Sequence, residues 1–367
     1  MKICMLTSGH DVFDNRIYYK ELLSLKKIYN ELYLIAPGEK DFITPEGIVV
    51  KCFKRRKSWY DRFSPMNRMF KLAMEIGADV YHAHEPDSLQ VAVKLKARTG
   101  AKVIYDSHEY YPEAFSEHFN ACKGMIQDSV YLYEKHLASR ADYIITVNNL
   151  LVGKFKKYHK NVELIPNYPV FSEVCTEKEY IDKPVFVYAG GLREDRGILK
   201  ILEAINMVKI DAKYIFIGEF ETGEFKEKVN NYIENNLKER EIVFTGKVPH
   251  LKVFEYLKSA DAGFVLLQPY NWRYVNSEPI KLFEYMMSKT AVIASDFPMM
   301  KDVIEKADCG FVVRPDDSKS IAEVIDFVCS NREKVSGMGE NGSKSAKELY
   351  NWSAAEKRLL NVYDELS

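Results

Sequence analysis

A helix-start signal followed by two charged side chains marks the segment from Asn276 to Glu284. Ser277 or Asn276 is predicted to cap this helix, and Pro279 fits its first turn. The free amides at a helix start suit an anion such as a diphosphate. Glu284 lies eight residues past Asn276, or about 12 Å along a helix, where its carboxylate could bind a ribose. Lys281 could pair with Glu284 or approach phosphate. The alternative is an ordinary amphipathic helix with solvated Lys and Glu side chains.

A glycine-rich turn, residues 190–197 (GGLREDRG), follows the predicted strand Val185–Ala189. Gly190 and Gly191 would let a ligand approach the backbone, and Arg193 and Arg196 could hold a diphosphate between them. The dinucleotide-binding and P-loop glycine patterns are not satisfied, so those sites are disfavoured. The alternative is a turn with surface arginines.

Histidines stand at or near the ends of predicted strands in the first half of the chain. His108 follows the strand Val103–Ser107, where it could reach a ligand, or could instead be a structural residue of a turn. His82 and His84 share one face of the strand Val80–His84, and core or supporting roles are favoured for them. The segment after the first strand contains three further candidates, His10, Asp14 and Arg16. They could contact an acceptor or phosphate, or lie in a solvated turn.

Short apolar runs alternate with helix-period segments in both halves of the chain, which is typical of doubly wound parallel sheets. In the first half the predicted strands are Ile3–Thr7, Leu32–Ala36, Ile48–Cys52, Val80–His84, Val103–Ser107, Tyr143–Val147 and Val162–Ile165. In the second half they are Val185–Ala189, Tyr214–Gly218, Ile242–Gly246, Gly263–Leu267, Ala291–Ala294 and Phe311–Val313. The prolines and charges between residues 166 and 184 predict a linker. Ligands of such sheets bind beyond the carboxyl ends of the strands.

The composition excludes several classes of protein. With 367 residues the chain has room for two domains of roughly 150 residues. The 52 basic and 53 acidic residues nearly balance, which argues against a nucleic-acid partner. Six scattered cysteines indicate reduced thiols, and no apolar run reaches the ~18 residues of a membrane-spanning helix. We therefore expect a cytoplasmic protein.

The chain resembles family 4 of the glycosyltransferases over nearly its whole length. The most specific match joins 281–286 (KLFEYM) to 291–296 (AVIASD) and resembles the Glu-x7-Glu region of the family. The ribose-binding second glutamate of that region falls on Glu284, and the first, which contacts the donor sugar, falls on Asn276. Glu278 is acidic and nearby but out of register.

Other parts of the chain carry the same resemblance. The family's Gly-Arg-Leu…Lys-Gly turn has Gly191 in place of its arginine and Arg196 in place of its lysine, and Arg193 could compensate. Further matches are 13–17 (FDNRI) with Lys20 and Glu21, 79–84 (DVYHAH), 105–109 (YDSHE), 164–167 (LIPN), and 350–352 (YNW) with Glu356.

The resemblance implies a GT-B fold, an α/β architecture in which two Rossmann-like, doubly wound domains face a central cleft. The first domain, on the acceptor side, would span 1–170 and be completed by a C-terminal helix at 350–367 that crosses back. The second, at 171–349, would bind the nucleotide sugar. We expect His108 and Asn276 to be catalytic, and His10, Asp14 and Arg16 to face the acceptor. The expected donor-binding residues are Gly190, Gly191, Arg193, Arg196, Val248, Ser277, Glu278, Pro279, Lys281, Leu282 and Glu284.

The expected function is that of a retaining glycosyltransferase. It would move a sugar from a nucleotide diphosphate sugar, UDP being the favoured nucleotide, to a saccharide or lipid-linked acceptor in bacterial surface polysaccharide or glycoconjugate synthesis. The sequence has no Asp-x-Asp motif, so we expect no metal and no cofactor beyond the nucleotide sugar; a helix start and the two arginines would stabilise the leaving diphosphate. Alternatives are a nucleotide-sugar epimerase of the same fold and a non-catalytic nucleotide-sugar-binding module.

Basic and aromatic side chains are interleaved over residues 51–71. Such a segment could bind an anionic membrane, each charge contributing ~1 kcal/mol near the surface. This would make the cytoplasmic protein peripheral on the inner face of the membrane. RNA binding, or a solvated loop and helix, are the alternatives.

Overall fold

Parallel strands form the centre of two separate units of the chain. The computed structural model describes residues 1–55, 61–119, 121–171 and 178–366. The first unit consists of Met1–Asn167 and Trp352–Ser367, and the second of Tyr168–Asn351. Among the described residues between 165 and 184 there is no helix or strand.

The first unit contains an eight-stranded sheet in the order β3-β4-β2-β1-β5-β6-β7-β8. Its strands are β1 (Ile3–Leu6), β2 (Leu32–Pro37), β3 (Phe42–Ile43), β4 (Val49–Phe53), β5 (Val80–His84), β6 (Lys102–Ser107), β7 (Tyr143–Thr146) and β8 (Val162–Leu164). The pairs are parallel except β3 with β4. All four residues of the central strand β1 are buried, as expected for a strand covered on both faces.

Helices cover the sheet of the first unit. They are a π-helix (Ile17–Leu22), α1 (Leu23–Lys26), α2 (Phe63–Ile76), α3 (Glu85–Thr99), α4 (Tyr111–Ser116), α5 (Lys123–Ala138) and α6 (Asn149–Phe155). The amphipathic pattern of Ile17–Lys27 favours a helix, and the segment is helical, with a π-helix as its first part and α1 as its second.

The second unit contains a six-stranded sheet in the order β11-β10-β9-β12-β13-β14, and all its pairs are parallel. Its strands are β9 (Val185–Ala189), β10 (Lys213–Ile217), β11 (Glu241–Gly246), β12 (Ala262–Val265), β13 (Ala291–Ser295) and β14 (Gly310–Val313). Its helices are α7 (Ile198–Met207), α8 (Gly223–Asn236), α9 (His250–Leu257), α10 (Trp272–Val275), α11 (Ile280–Met287), α12 (Pro298–Ala307), α13 (Ser318–Ser330) and α14 (Arg332–Glu348).

Helix α7 shows how sequence spacing builds the second core. Ile198, Ile201, Leu202 and Ile205 recur at helical spacing, and all four are fully buried. Each such side chain contributes about 1.5–3 kcal/mol relative to an exposed position. These contacts fix the strand-to-helix turn that precedes α7.

The last helix, α15 (Trp352–Asp364), belongs to the first unit although it follows the second in the chain. Its Trp352 indole N–H donates a hydrogen bond to Ser24 Oγ at 2.9 Å. Tyr363, at its other end, is fully buried, with its hydroxyl 2.7 Å from His82 Nδ1.

The five cysteines of the described residues are free thiols. In the part of the chain that the structure covers, we find no helix that combines the length and hydropathy needed to cross a bilayer.

Candidate functional site

The glycine turn after β9 is held by backbone contacts. The Gly190 N–H donates a hydrogen bond to the Ile217 carbonyl oxygen at 2.9 Å. Gly190 and Gly218 have φ angles of +134° and +142°, which other residues rarely adopt. A Cβ atom on Gly218 would lie 2.0 Å from the Gly190 carbonyl oxygen. Glycine is therefore required for these two turns to pack together.

The two arginines of this turn are engaged by neighbouring groups. Arg193 donates bidentate hydrogen bonds of 3.0 Å to Asp195 and lies 3.1 Å from Glu221. The Arg196 guanidinium lies 4.9 Å from the centre of the Tyr274 ring, and the Tyr274 hydroxyl donates to Asp195 at 2.7 Å. A diphosphate bound between Arg193 and Arg196 would have to compete with Asp195.

The start of helix α11 differs from the sequence prediction. The N-cap is Pro279, with an extended backbone, and neither Ser277 nor Asn276 caps the helix. Asn276 instead ends α10 and donates from Nδ2 to the Trp272 carbonyl oxygen, while the Ser277 hydroxyl donates to the Tyr274 carbonyl oxygen. The preceding turn thus uses both polar side chains, and the helix begins at Ile280.

Lys281 and Glu284 lie on the half-buried side of α11, one turn apart. The Lys281 Nζ lies 3.9 Å from the centre of the Tyr188 ring and 3.0 Å from where a Cβ on Gly190 would stand, so the ammonium group lies against the glycine turn. Burial, together with the nearby Arg196 charge, lowers the pKa of Lys281 to about 7. Burial likewise raises the pKa of Glu278 to about 7, with a contribution from Asp302.

Glu284 has a partner that the sequence did not indicate. Its Oε1 lies 2.7 Å from His250 Nε2, and the Glu284 side chain is 13% exposed while that of His250 is 60% exposed. His250 begins α9, close to Val248, which packs against the core. Leu282 is fully buried and anchors α11. No motif in the sequence pairs His250 with Glu284, because the contact depends on how the two helices pack.

In the first unit, a buried ion pair joins Arg16 to the end of β6. Arg16 donates from Nε and one Nη atom to the two carboxylate oxygens of Asp106, at 2.8 and 3.1 Å, and from the other Nη to the Ile165 carbonyl oxygen at 2.9 Å. Its side chain is 3% exposed. Burial opposes the ionised form of Asp106, but the Arg16 and His108 charges hold the pKa of that carboxyl well below its usual range. Arg16 therefore fixes Asp106 instead of standing at the surface.

Asp106 in turn orients histidines. His108 Nε2 lies 2.7 Å from Asp106 Oδ2 and 3.2 Å from His84 Nδ1, and the His108 side chain is 12% exposed. His10 lies close by: Nδ1 is 2.9 Å from Asp14 and Nε2 is 3.1 Å from Glu85. Glu85 has a φ of +64°, uncommon for a residue with a side chain. The structure thus brings four of these predicted residues, His10, Asp14, Arg16 and His108, into one cluster.

His82 and His84 are both fully buried, and their stacked rings face Glu21. Glu21 Oε2 lies 3.9 Å from His82 Nε2 and 3.6 Å from His84 Nε2. Burial lowers the pKa of both histidines, that of His84 to about 4. Burial also raises the pKa of Glu21, helped by Asp106 and opposed by Arg16. Sequence reasoning did not assign Glu21 to a site.

The basic segment at 51–71 falls partly outside the described residues, since 56–60 with Trp59 and Tyr60 are among those not described. Within the described part, Lys51 pairs with Asp41, Arg55 with Asp11 and Arg62 with Asp87. These carboxylates come from outside the segment, so its local charge is lower than the sequence suggests. Phe63 is 74% exposed.

Comparisons with known proteins match both units. The family model "Glycosyltransferase Family 4" matches residues 23–168, and "Glycosyl transferases group 1" matches 176–345. A putative glycosyltransferase of Bacillus subtilis, EpsD, is 22% identical over 293 residues, which is 73% of this chain and 72% of that protein. A putative teichuronic acid biosynthesis glycosyltransferase of the same organism, TuaC, is 27% identical over 145 residues, 40% of this chain and 33% of that protein.

Solved structures share the fold. Anabaena Alr3699/HepE in complex with UDP matches with a TM-score of 0.76 and 14% identity, covering 100% of both chains. The same Anabaena protein was also solved with UDP-glucose. The predicted GT-B fold is confirmed by this likeness.

Proposed function

Because the chain belongs to the family 4 glycosyltransferases and has the GT-B type of fold, we propose that it is a retaining enzyme that uses a nucleotide diphosphate sugar, preferably a UDP-sugar. The acceptor is a saccharide or lipid-linked saccharide, and the product enters a bacterial surface polysaccharide or glycoconjugate. The UDP and UDP-glucose complexes of the Anabaena protein support the donor, and the teichuronic acid relative supports the type of product.

The arrangement of Lys281 and Glu284 around the Gly190 turn is the observation that carries this proposal. The ammonium group of Lys281 lies 3.0 Å from the position that a Cβ on Gly190 would take, where it can meet the negative charge of a diphosphate. Glu284 follows by one turn of α11, and its largely buried carboxylate can accept hydrogen bonds from two ribose hydroxyls. One helix therefore offers a cation and a hydrogen-bond acceptor one turn apart.

The reaction breaks the bond between the anomeric carbon and the diphosphate oxygen and forms a bond from that carbon to the acceptor hydroxyl oxygen on the same face. The hydroxyl proton passes to the departing phosphate. In the second unit we assign Asn276 to the donor sugar. In the first unit we assign a catalytic role to His108, whose ring is held by Asp106. We assign no protein residue as general base.

The negative charge that develops on the leaving diphosphate is stabilised by Lys281, by Arg193 and Arg196 once Asp195 releases them, and by the first amides of α11. This chemistry needs no metal at the diphosphate. Transferase activity that EDTA abolishes and Mg²⁺ restores would contradict this part of the proposal.

Replacing Glu284 tests the donor site directly. Glu284→Ala removes charge-assisted hydrogen bonds of ~1.5–3 kcal/mol, so the affinity for UDP-glucose should fall about 10- to 150-fold. Isothermal titration calorimetry measures this, and Glu323→Ala, an exposed carboxylate on α13, is the matched control. Since His250 occupies Glu284 Oε1, His250→Ala should leave the affinity equal or higher. Unchanged binding by Glu284→Ala would remove this residue from the donor site.

Incubation with nucleotide sugar alone separates the transferase from its alternatives. A panel of UDP-, GDP- and ADP-sugars is first screened by calorimetry, and the best ligand is then incubated without acceptor. Slow release of free sugar supports a transferase, because water replaces the missing acceptor. Conversion to an epimeric nucleotide sugar would identify an epimerase, and complete recovery of the donor, with no transfer to any saccharide, would identify a binding module.

The basic segment at 51–71 gives the enzyme a means to meet a lipid-linked acceptor. Exposed Phe63 and the basic residues of α2 would contact the anionic surface. Flotation with vesicles of anionic phospholipid at low salt should recover the protein, and vesicles of zwitterionic lipid should not. Failure to recover the protein with either type of vesicle would exclude membrane association.

A further inference from the structure

Four buried side chains of the first unit converge on one point beneath His108. One donor atom each from Glu21, His82, His84 and Asp106 lies within 4.8 Å of the others, and all four side chains are fully buried. Two imidazoles and two carboxylates in such a small volume are a donor set typical of transition-metal sites in proteins.

Three of these groups present a buried atom without a hydrogen-bond partner among the described residues: Glu21 Oε2, His82 Nε2 and His84 Nε2. The other Glu21 oxygen, Oε1, lies 2.9 Å from Arg16 Nε. Glu21 Oε2 lies 3.9 and 3.6 Å from the two Nε2 atoms. Ligands of tetrahedral zinc at ~2.0–2.1 Å from the ion lie about 3.3 Å apart. A small inward movement of the side chains would bring the three atoms to that spacing.

The opposite edge of each imidazole is already held. His82 Nδ1 lies 2.7 Å from the Tyr363 hydroxyl, and His84 Nδ1 lies 3.4 Å from Asp106 Oδ2. Histidine ligands of metals are oriented in this way, by a carboxylate or another polar group on the second ring nitrogen. These contacts leave both Nε2 atoms directed at Glu21.

Arg16 lies between the two carboxylates of the cluster, with Nε 2.9 Å from Glu21 Oε1 and 2.8 Å from Asp106 Oδ2. Glu21 Oε2 instead faces the two histidines, 3.9 Å from His82 Nε2 and 3.6 Å from His84 Nε2. Polar atoms buried this close together require a proton or a cation between them.

The local backbone also departs from regular structure at this point. Glu21 lies in the π-helix Ile17–Leu22, and π-helical turns occur frequently at functional sites. The wider turn brings Lys20 and Glu21, which are neighbours in sequence, to the buried side together.

We propose that Glu21 Oε2, His82 Nε2 and His84 Nε2 bind a first-row divalent metal ion, with Zn²⁺ as the best match and Asp106 as a support of His84 or a fourth ligand. The ion stabilises the first unit and holds the strand ends that carry His108. Mg²⁺ does not suit the site, since it prefers oxygen ligands. This proposal departs from the expectation of a chain without metal, and it is independent of the proposed donor chemistry.

Metal content of the tag-free full-length protein tests the proposal. The protein is produced in defined medium with added ZnSO₄, purified without chelator and measured by inductively coupled plasma mass spectrometry. We expect about one ion per chain. Glu21→Gln and His84→Gln should each lose at least nine-tenths of it. The control His136→Gln, an exposed histidine of α5, should keep it.

A second measurement does not depend on whether those variants fold. Wild-type protein is stripped with a chelator during partial unfolding, refolded with Co²⁺ and examined for the visible absorption of a four- or five-coordinate cobalt site with imidazole ligands. Wild-type protein with less than a tenth of an ion per chain and no such absorption would overturn the proposal and leave a proton on Glu21 as the compensating charge. Variants that fold and keep the full metal content would overturn it as well.

Discussion

Each unit contains an arginine held by an aspartate through two hydrogen bonds, and the two pairs differ in depth. Arg16 and Asp106 are 3% and 0% exposed, whereas Arg193 and Asp195 are 39% and 18% exposed. A buried pair cannot be opened without leaving an unpaired charge in a medium of low polarity. A pair near the surface is screened by water and can exchange one partner for another at little cost. The same two residue types therefore build a fixed framework in the first unit and an adjustable site in the second.

The largest expected effect comes from breaking the deep pair. Asp106→Asn removes the carboxylate that accepts two hydrogen bonds from Arg16 and leaves Glu21 as the nearest counter-charge, so the free energy of unfolding should fall by about 3–5 kcal/mol. Urea unfolding of the full chain, followed by circular dichroism, measures the change. A loss below about 1 kcal/mol would mean that the two pairs do not differ in the way their burial indicates.

Backbone packing, and not charge, is expected to dominate the second unit. Gly218→Ala places a Cβ 2.0 Å from the Gly190 carbonyl oxygen at a φ of +142°, so both turns must move. We expect a loss of about 1–3 kcal/mol in the free energy of unfolding together with weaker donor binding. The control is Gly223→Ala at the first position of α8, where nothing lies within 4 Å of the new Cβ. Equal stability of the two variants would contradict this account of the turn.

The affinity of the second unit for its donor should depend on pH. Lys281 and Glu278 both have a pKa of about 7, the first lowered and the second raised, chiefly by burial. Below that pH the site carries the ammonium charge and a neutral carboxyl. Above that pH, Lys281 loses its positive charge and Glu278 becomes a carboxylate. The affinity for the diphosphate anion therefore falls as pH rises.

Calorimetry with UDP-glucose, whose diphosphate does not titrate near neutrality, should show a decrease of about tenfold between about pH 6 and pH 8, corresponding to 1.4 kcal/mol. The arginine of Lys281→Arg keeps its charge over this range. This variant should therefore lose the part of the pH dependence of affinity that Lys281 causes. Affinity that rises with pH would contradict the prediction.

The smallest effect is expected for the shallow pair. Asp195→Asn should change the free energy of unfolding by less than about 1 kcal/mol, because Arg193 remains near Glu221 and water. Its affinity for UDP-glucose should stay equal or increase, since Arg193 no longer has to leave a carboxylate. The urea series used for Asp106→Asn gives the direct comparison between the two pairs.

The sequence predicts the sheets well because parallel strands are buried on both faces and appear as continuous apolar runs. All thirteen predicted strands overlap observed ones, and the two-residue edge strand β3 is too short and too exposed to give that pattern. Helix α11 was placed correctly, but its cap was not. Asn276 and Ser277 have capping side chains, yet the short helix α10 before them uses their hydrogen bonds.

The buried cluster of the first unit is harder to predict. Arg16 and Asp106 are 90 positions apart, and only the order of β1, β5 and β6 in the sheet brings them together. Glu21 lies in a π-helix, a rare element that the sequence pattern does not predict. His82 and His84 were expected to have core or supporting roles, and their burial agrees with this.

Helix α15 has a consequence for the order in which the chain acquires its structure during synthesis. The partners of Ser24 and His82, the Trp352 indole and the Tyr363 hydroxyl, leave the ribosome only after every residue of the second unit. Domains generally fold as units in the order of their synthesis. Here the first unit cannot complete its folding until α15 has been synthesised, because α15 covers part of its sheet. The second unit can fold before that. A chain truncated after Asn351 should therefore contain a protease-resistant second unit and a sensitive first one.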